Sequence, residues 1–68
     1  MNVVVNGEER ELAGGTTLTE LLGDMGIGAQ TQGVAVARNG DVIARSQWQT
    51  VALAAGDHVE VLHAVQGG

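Results

Sequence analysis

Gly56-Asp57-His58-Val59-Glu60-Val61-Leu62-His63-Ala64-Val65-Gln66-Gly67-Gly68 ends the chain as a strand that runs into a bare diglycine. Val59 and Val61 alternate with Glu60 and Leu62, so this strand turns two valines to one face and a charge plus a leucine to the other. Gly67 and Gly68 carry no side chains, which lets a backbone thread a narrow channel and present its terminal carboxylate. A frayed end is the plainer reading of the same residues. Where this last strand sits among the others decides the fold.

Val3-Val4-Val5 is a β-branched run that ends in Asn6-Gly7, the strongest short signal for a type I′ hairpin turn. A second strand follows over residues 8–12, and alternation places Val3 and Val5 together on the expected core face. The same signature recurs downstream. Val34-Ala35-Val36-Ala37-Arg38 runs into Asn39-Gly40, and a return strand is expected over residues 41–45. Neither hairpin supplies a parallel neighbour for the first strand, so the last strand is expected beside it, parallel and in the middle of the sheet.

Between the hairpins, Thr17-Leu18-Thr19-Glu20 matches a capping box, and Leu18, Leu21, Leu22 and Met25 recur at helical spacing. The helix is expected to stop near Met25. Gly26 fits the left-handed position after the helix, with Ile27 folding back on Leu22. A glycine-flanked loop follows over residues 28–33, and an irregular crossover containing Trp48, Val51 and Leu53 leads to the final strand. The fold class is therefore α+β, one helix across one face of a mixed sheet.

Sixty-eight residues make one domain with a modest core. Apolar residues are 44% of the chain, mostly Val, Ala and Leu, with Trp48 the only aromatic. With no Cys, neither a disulfide nor a Cys-based metal site is available. The start of the chain shows no basic segment or long apolar run, and a cytoplasmic location away from membranes is expected. The net charge of −5 speaks against a nucleic-acid partner, which needs a basic face, and suits steering toward a basic protein surface or simple solubility. The absence of Lys excludes Schiff-base chemistry on a side chain of this chain.

Little else in the chain suggests chemistry. His58 and His63 are five apart on one strand, an odd offset that sends them to opposite faces, so no shared metal is expected. No Ser/His/Asp set with a pocket is evident, and no intrinsic enzymatic activity is expected. Gly14-Gly15-Thr16-Thr17 before the helix is either a weak anion-binding loop or, more simply, a flexible entry to a capped helix. Trp48 is either a lid on the core or an anchor for a partner. Arg38 and Arg45 read as solvated ends of the second hairpin. A single helix covers one side of the sheet, so Glu60 and Leu62 face outward, with Val4 expected beside Leu62 in a partner-binding patch.

The order of elements together with Val5-Asn6-Gly7-Glu8, Thr17-Leu18-Thr19-Glu20-Leu21-Leu22, Val36-Ala37-Arg38-Asn39-Gly40, Ala44-Arg45-Ser46-Gln47-Trp48 and the closing Gly-Asp strand resembles the ThiS family. These are sulfur carriers of thiamin biosynthesis in the ubiquitin-like β-grasp superfamily. The likeness covers essentially the whole chain, with Ala44 standing where many members have a proline. It implies a β-grasp domain over residues 1–64 and a flexible diglycine tail over residues 65–68. The Gly68 carboxylate would be adenylated by a ThiF-like activating enzyme that uses ATP, and sulfur ultimately from cysteine would convert it to a thiocarboxylate. A ThiG-like thiazole synthase would accept that sulfur. Val65, Gln66 and Gly67 would enter each partner's site, and the carrier itself would bind no cofactor. The alternatives are a carrier for another pathway, such as the molybdopterin type, and a ubiquitin-like interaction or modifier domain.

Overall fold

The computed structural model describes residues 1–64; the expected tail, residues 65–68, lies outside them. Five strands form one sheet: β1 (Asn2–Val5), β2 (Glu8–Glu11), β3 (Val34–Arg38), β4 (Asp41–Ile43) and β5 (His58–His63). Their order across the sheet is β2-β1-β5-β3-β4. β5 runs parallel to β1, with Val4 opposite His58 and Val5 opposite Val59, and antiparallel to β3. The last strand is thus the central one, as the hairpin pattern requires.

Helix α1 (Leu18–Asp24) lies across one face. Both halves of its capping box form: the Thr17 hydroxyl accepts from the Glu20 amide at 3.2 Å, and the Glu20 carboxylate accepts from the Thr17 amide at 3.0 Å. At the other end Gly26 sits at φ +82°, the Gly26 amide donates to Gly23 and the Ile27 amide donates to Leu22 at 2.8 Å. This is the Schellman pattern, and it brings Ile27 back over the helix. Leu18, Leu21 and Leu22 are fully enclosed against Val3, Val5, Val36, Val59 and Val61. Trp48 closes the cluster at 3% exposure, so its role is in the core.

Two expected strand ends move. β2 stops at Glu11, although the Leu12 amide still donates to the Met1 carbonyl at 2.8 Å. β4 stops at Ile43 because the chain turns at Ala44 into a 3-10 helix, Arg45–Gln47, which lets the Trp48 indole nitrogen donate to the Ile43 carbonyl at 3.1 Å. Ala44 holds φ −62°, the angle a proline ring would fix, so this position accepts proline or alanine with the same φ.

The two hairpin asparagines do more than permit a turn. Asn6 and Asn39 both adopt left-handed φ, 51° and 50°, as type I′ turns demand. The Asn6 side chain also accepts from the Val61 amide at 2.8 Å and donates to the Val61 carbonyl at 3.2 Å. β1 has turned away by that point, so one side-chain amide replaces the missing strand. Asn39 accepts from the His58 amide at 2.8 Å and donates to the Asp57 carboxylate at 3.0 Å. Asp57 in turn accepts from the Ala54 amide at 2.8 Å and lies 4.0 Å from Arg38.

Burial pushes the Asp57 carboxyl up, but the Ala54 amide, the Asn39 side chain, Arg38 and His58 together outweigh it and hold its pKa below the usual value. A depressed folded-state pKa adds stability above the unfolded value of about 3.9, and that stability is lost as pH falls through the lower folded value. Acid unfolding should therefore steepen below about pH 4. Asp57→Asn should flatten this limb when stability is measured by denaturant titration at several pH values. Asn6→Gly keeps the left-handed turn but removes both bonds to Val61, and should cost on the order of 1–3 kcal/mol, each kcal/mol lowering the thermal midpoint by roughly 4–8 °C.

Candidate functional site

The sheet has one covered face and one open face. Alternation and register place Asn2, Val4, Glu9, Glu11, His58, Glu60, Leu62, Ala35, Ala37 and Val42 on the open side. Among the described residues, Val42 and Leu62 are the exposed large apolar side chains, at 80% and 68%. With Ala35, Ala37 and Glu60 they line a shallow depression of about 80 Å³. A second, open groove of about 290 Å³ lies between Val4, Asn6, His58 and Glu60. Both fall short of the roughly 300–1,000 Å³ of an enclosed small-molecule site.

Val4 does not lie beside Leu62. It is half-buried opposite His58, and Leu62 is four residues further along β5, about 13 Å at 3.3 Å per residue. The parallel register sets this separation, because β1 ends where β5 is only beginning. Leu62 instead faces Ala35 across the ladder, and Val42 faces Ala37 one strand further out. Glu60 stands between the two parts of the face, opposite Ala37. The sequence reading missed Val42, although its signal is local: a two-residue Asn39-Gly40 turn pairs Ile43 with the core residue Val36, which forces Val42 outward.

Charge on this surface is more one-sided than composition suggests. Arg38 and Arg45, expected as solvated ends, both donate to backbone carbonyls, Arg38 from a half-buried position and Arg45 while remaining exposed. Arg38 donates to Ala52 at 3.3 Å, and Arg45 donates to Ala29 at 2.6 Å and Thr31 at 2.5 Å. Two of the three cations are thereby engaged within the chain, while Glu9, Glu11 and Glu60 remain exposed. The open face offers an apolar end beside an acidic remainder, a match for a partner with an apolar centre and basic rim.

The other candidate chemistries dissolve in the geometry. The α1 amides that an anion would need are in use: Leu18 donates to the Val51 carbonyl at 3.1 Å, Thr19 to Trp48 at 3.1 Å and Glu20 to Thr17. His58 and His63 are exposed and turn to opposite faces of β5. Among the described residues no group of three or more His, Cys, Asp or Glu is placed to hold a metal ion. Among them also, no helix is long and apolar enough to cross a membrane. Gly68, Gly67, Gln66 and Val65 lie outside the described residues; β5 leads to them through Ala64.

Comparison with known proteins agrees with this architecture. The thiamine biosynthesis protein (ThiS) of Geobacter metallireducens superposes in its crystal structure with a TM-score of 0.80 at 36% identity, over 100% of both chains. The solution structure of a thiamine biosynthesis protein from that organism gives 0.78 at 34% identity, over 100% of this chain and 88% of that one. Two curated relatives named thiazole synthase align with the whole chain, one from Paramagnetospirillum magneticum at 37% identity and one from Magnetococcus marinus at 41%. The chain spans only 20% of the length of each. The ThiS family model matches residues 3–68, and with this ubiquitin-like β-grasp fold the chain belongs to the ThiS family.

Proposed function

We propose that this chain is a sulfur carrier for thiazole formation in thiamin biosynthesis, a protein cosubstrate with its reactive group at the Gly68 carboxylate. Membership of the ThiS family is the observation that supports this reading most directly. The fold agrees with it, since the described residues form a frame around β5, the strand that leads toward Gly68.

The chemistry follows from the carboxylate. Its negative charge makes it a poor electrophile, so a ThiF-like enzyme first joins it to the α-phosphate of ATP and releases pyrophosphate. The acyl adenylate has a good leaving group. Hydrosulfide, its sulfur ultimately from cysteine, attacks the acyl carbon, AMP leaves with the electron pair of the broken acyl–oxygen bond, and loss of the sulfur-bound proton leaves Gly68 as a thiocarboxylate. A ThiG-like thiazole synthase then takes the sulfur into the ring. Thiazole synthase relatives that contain a segment similar to this whole chain support that acceptor.

The β-grasp frame, residues 1–64, supplies recognition, and residues 65–68 reach the partner's site. The Leu62 and Val42 end of the open face, with Glu60 at its margin, is the surface for the activating enzyme; Val4 marks the far, polar end. ATP belongs to that enzyme, and the carrier holds no cofactor of its own.

Reconstitution tests the reading. With a ThiF-like enzyme the chain should support exchange of pyrophosphate into ATP, and removing Gly68 or replacing Gly67 with Trp should abolish exchange while the fold persists. Normal exchange by either variant would contradict the role of the diglycine. Leu62→Glu and Val42→Glu should each change stability by no more than about 0.5 kcal/mol. Each should weaken binding to the enzyme by roughly 10-fold or more in titration calorimetry, and unchanged affinity would remove the patch from the interface.

A further inference from the structure

Arg45 joins the core to the root of the chain's exit. Its guanidinium lies 4.5 Å from the centroid of the buried Trp48 ring, and its two terminal nitrogens reach the carbonyls of Ala29 and Thr31. Those carbonyls belong to the loop over residues 28–33. The loop is further tied within itself, where the Gly28 amide donates to the Thr31 hydroxyl and the Thr31 amide donates to the Gly28 carbonyl, each at 3.1 Å.

The end of this loop holds β5. Gly33 continues the β3 to β5 register one step beyond Val34 and His63, and its carbonyl accepts from the Ala64 amide at 2.8 Å. The contact is close: a Cβ on Gly33 would stand 3.0 Å from the Ala64 carbonyl oxygen, and Gly33 holds φ +75°. Only glycine fits without strain there. Arg45, the loop, Gly33 and Ala64 therefore form one connected brace that ends at the last described residue before the diglycine.

We propose that Arg45 is a positioning residue for transfer at Gly68: acting through the loop and Gly33, it fixes the seat of Ala64, the residue from which the chain continues toward Gly68. The role in transfer rests on the sulfur-carrier reading, whereas the brace rests on the contacts alone. The physical cost of losing it is orientational, because transfer needs the end of β5 seated while the partner's site engages the reacting carboxylate.

Arg45→Met tests this, since it keeps an unbranched apolar stem against Trp48 and removes every donor. Amide hydrogen exchange at Ala64 should accelerate relative to Val59. In pyrophosphate exchange with the activating enzyme, kcat should fall by roughly 10- to 100-fold with KM for the carrier nearly unchanged. Arg45→Lys should recover part of both, because a point charge serves the two carbonyls less well than a planar fork. Gly33→Ala approaches the same seat from the other side with Arg45 and Trp48 intact, and should reproduce the kcat loss even if Arg45→Met fails to fold. Ala64 exchange at the unsubstituted rate in Arg45→Met or Gly33→Ala would overturn the brace. A loss confined to KM would also overturn the proposal, since it would make Arg45 a direct partner contact. If the unsubstituted chain supported no pyrophosphate exchange, the carrier reading would fall with the role in transfer, and Ala64 exchange would still decide the brace.

Discussion

The backbone of β5 needs partners along both edges, and β1 is too short to supply one of them. β1 ends at Val5, opposite Val59, while β5 continues to His63. The Asn6 amide fills the gap at Val61 with one donor and one acceptor. An unpaired backbone group in the sheet interior costs on the order of 1–3 kcal/mol, so this single side chain allows the central strand to extend past its neighbour. Asn39 does the matching work at the start of β5, where it binds the His58 amide and orients Asp57. Each hairpin thus ends in a residue that both makes its turn and grips the strand between the hairpins.

That arrangement explains how so light a core positions a chain end. Burial comes from aliphatic side chains of α1 and the three middle strands, with Trp48 the one large ring. The crossover that contains Trp48 closes the helix N-terminus with its carbonyls, while Arg45, one turn earlier, ties down the loop that seats Ala64. Core, helix entry and strand exit are therefore fixed by one short segment. The outer face is left free of these duties, and it gathers Val42, Leu62, Glu9, Glu11 and Glu60 on one surface.

Much of this was legible from residue pattern. The two Asn-Gly turns, the Thr17 to Glu20 box and Gly26 with Ile27 each have a local cause, and local causes show in sequence. The central place of β5 followed from topology, because two hairpins leave strand one without a parallel neighbour. What escaped was set by register and by long-range bonds. Val4 was placed beside Leu62 because both face outward, but the parallel offset that separates them depends on where β1 begins alongside β5. Arg45 is exposed, as a solvated end would be, but the bonds that Arg38 and Arg45 make escaped the reading because their acceptors are backbone carbonyls 14 and 16 residues away. Carbonyls leave no mark on side-chain pattern.

On the proposed function, this frame presents the Gly68 carboxylate for conversion to a thiocarboxylate. The most direct measurement is the intact mass of the chain isolated from cells that make thiamin. A population heavier by the difference between one sulfur and one oxygen, located at Gly68 by fragmentation and lost when the activating enzyme is deleted, is the predicted result. A chain recovered only unmodified, or joined through Gly68 to lysines of other proteins, would contradict it.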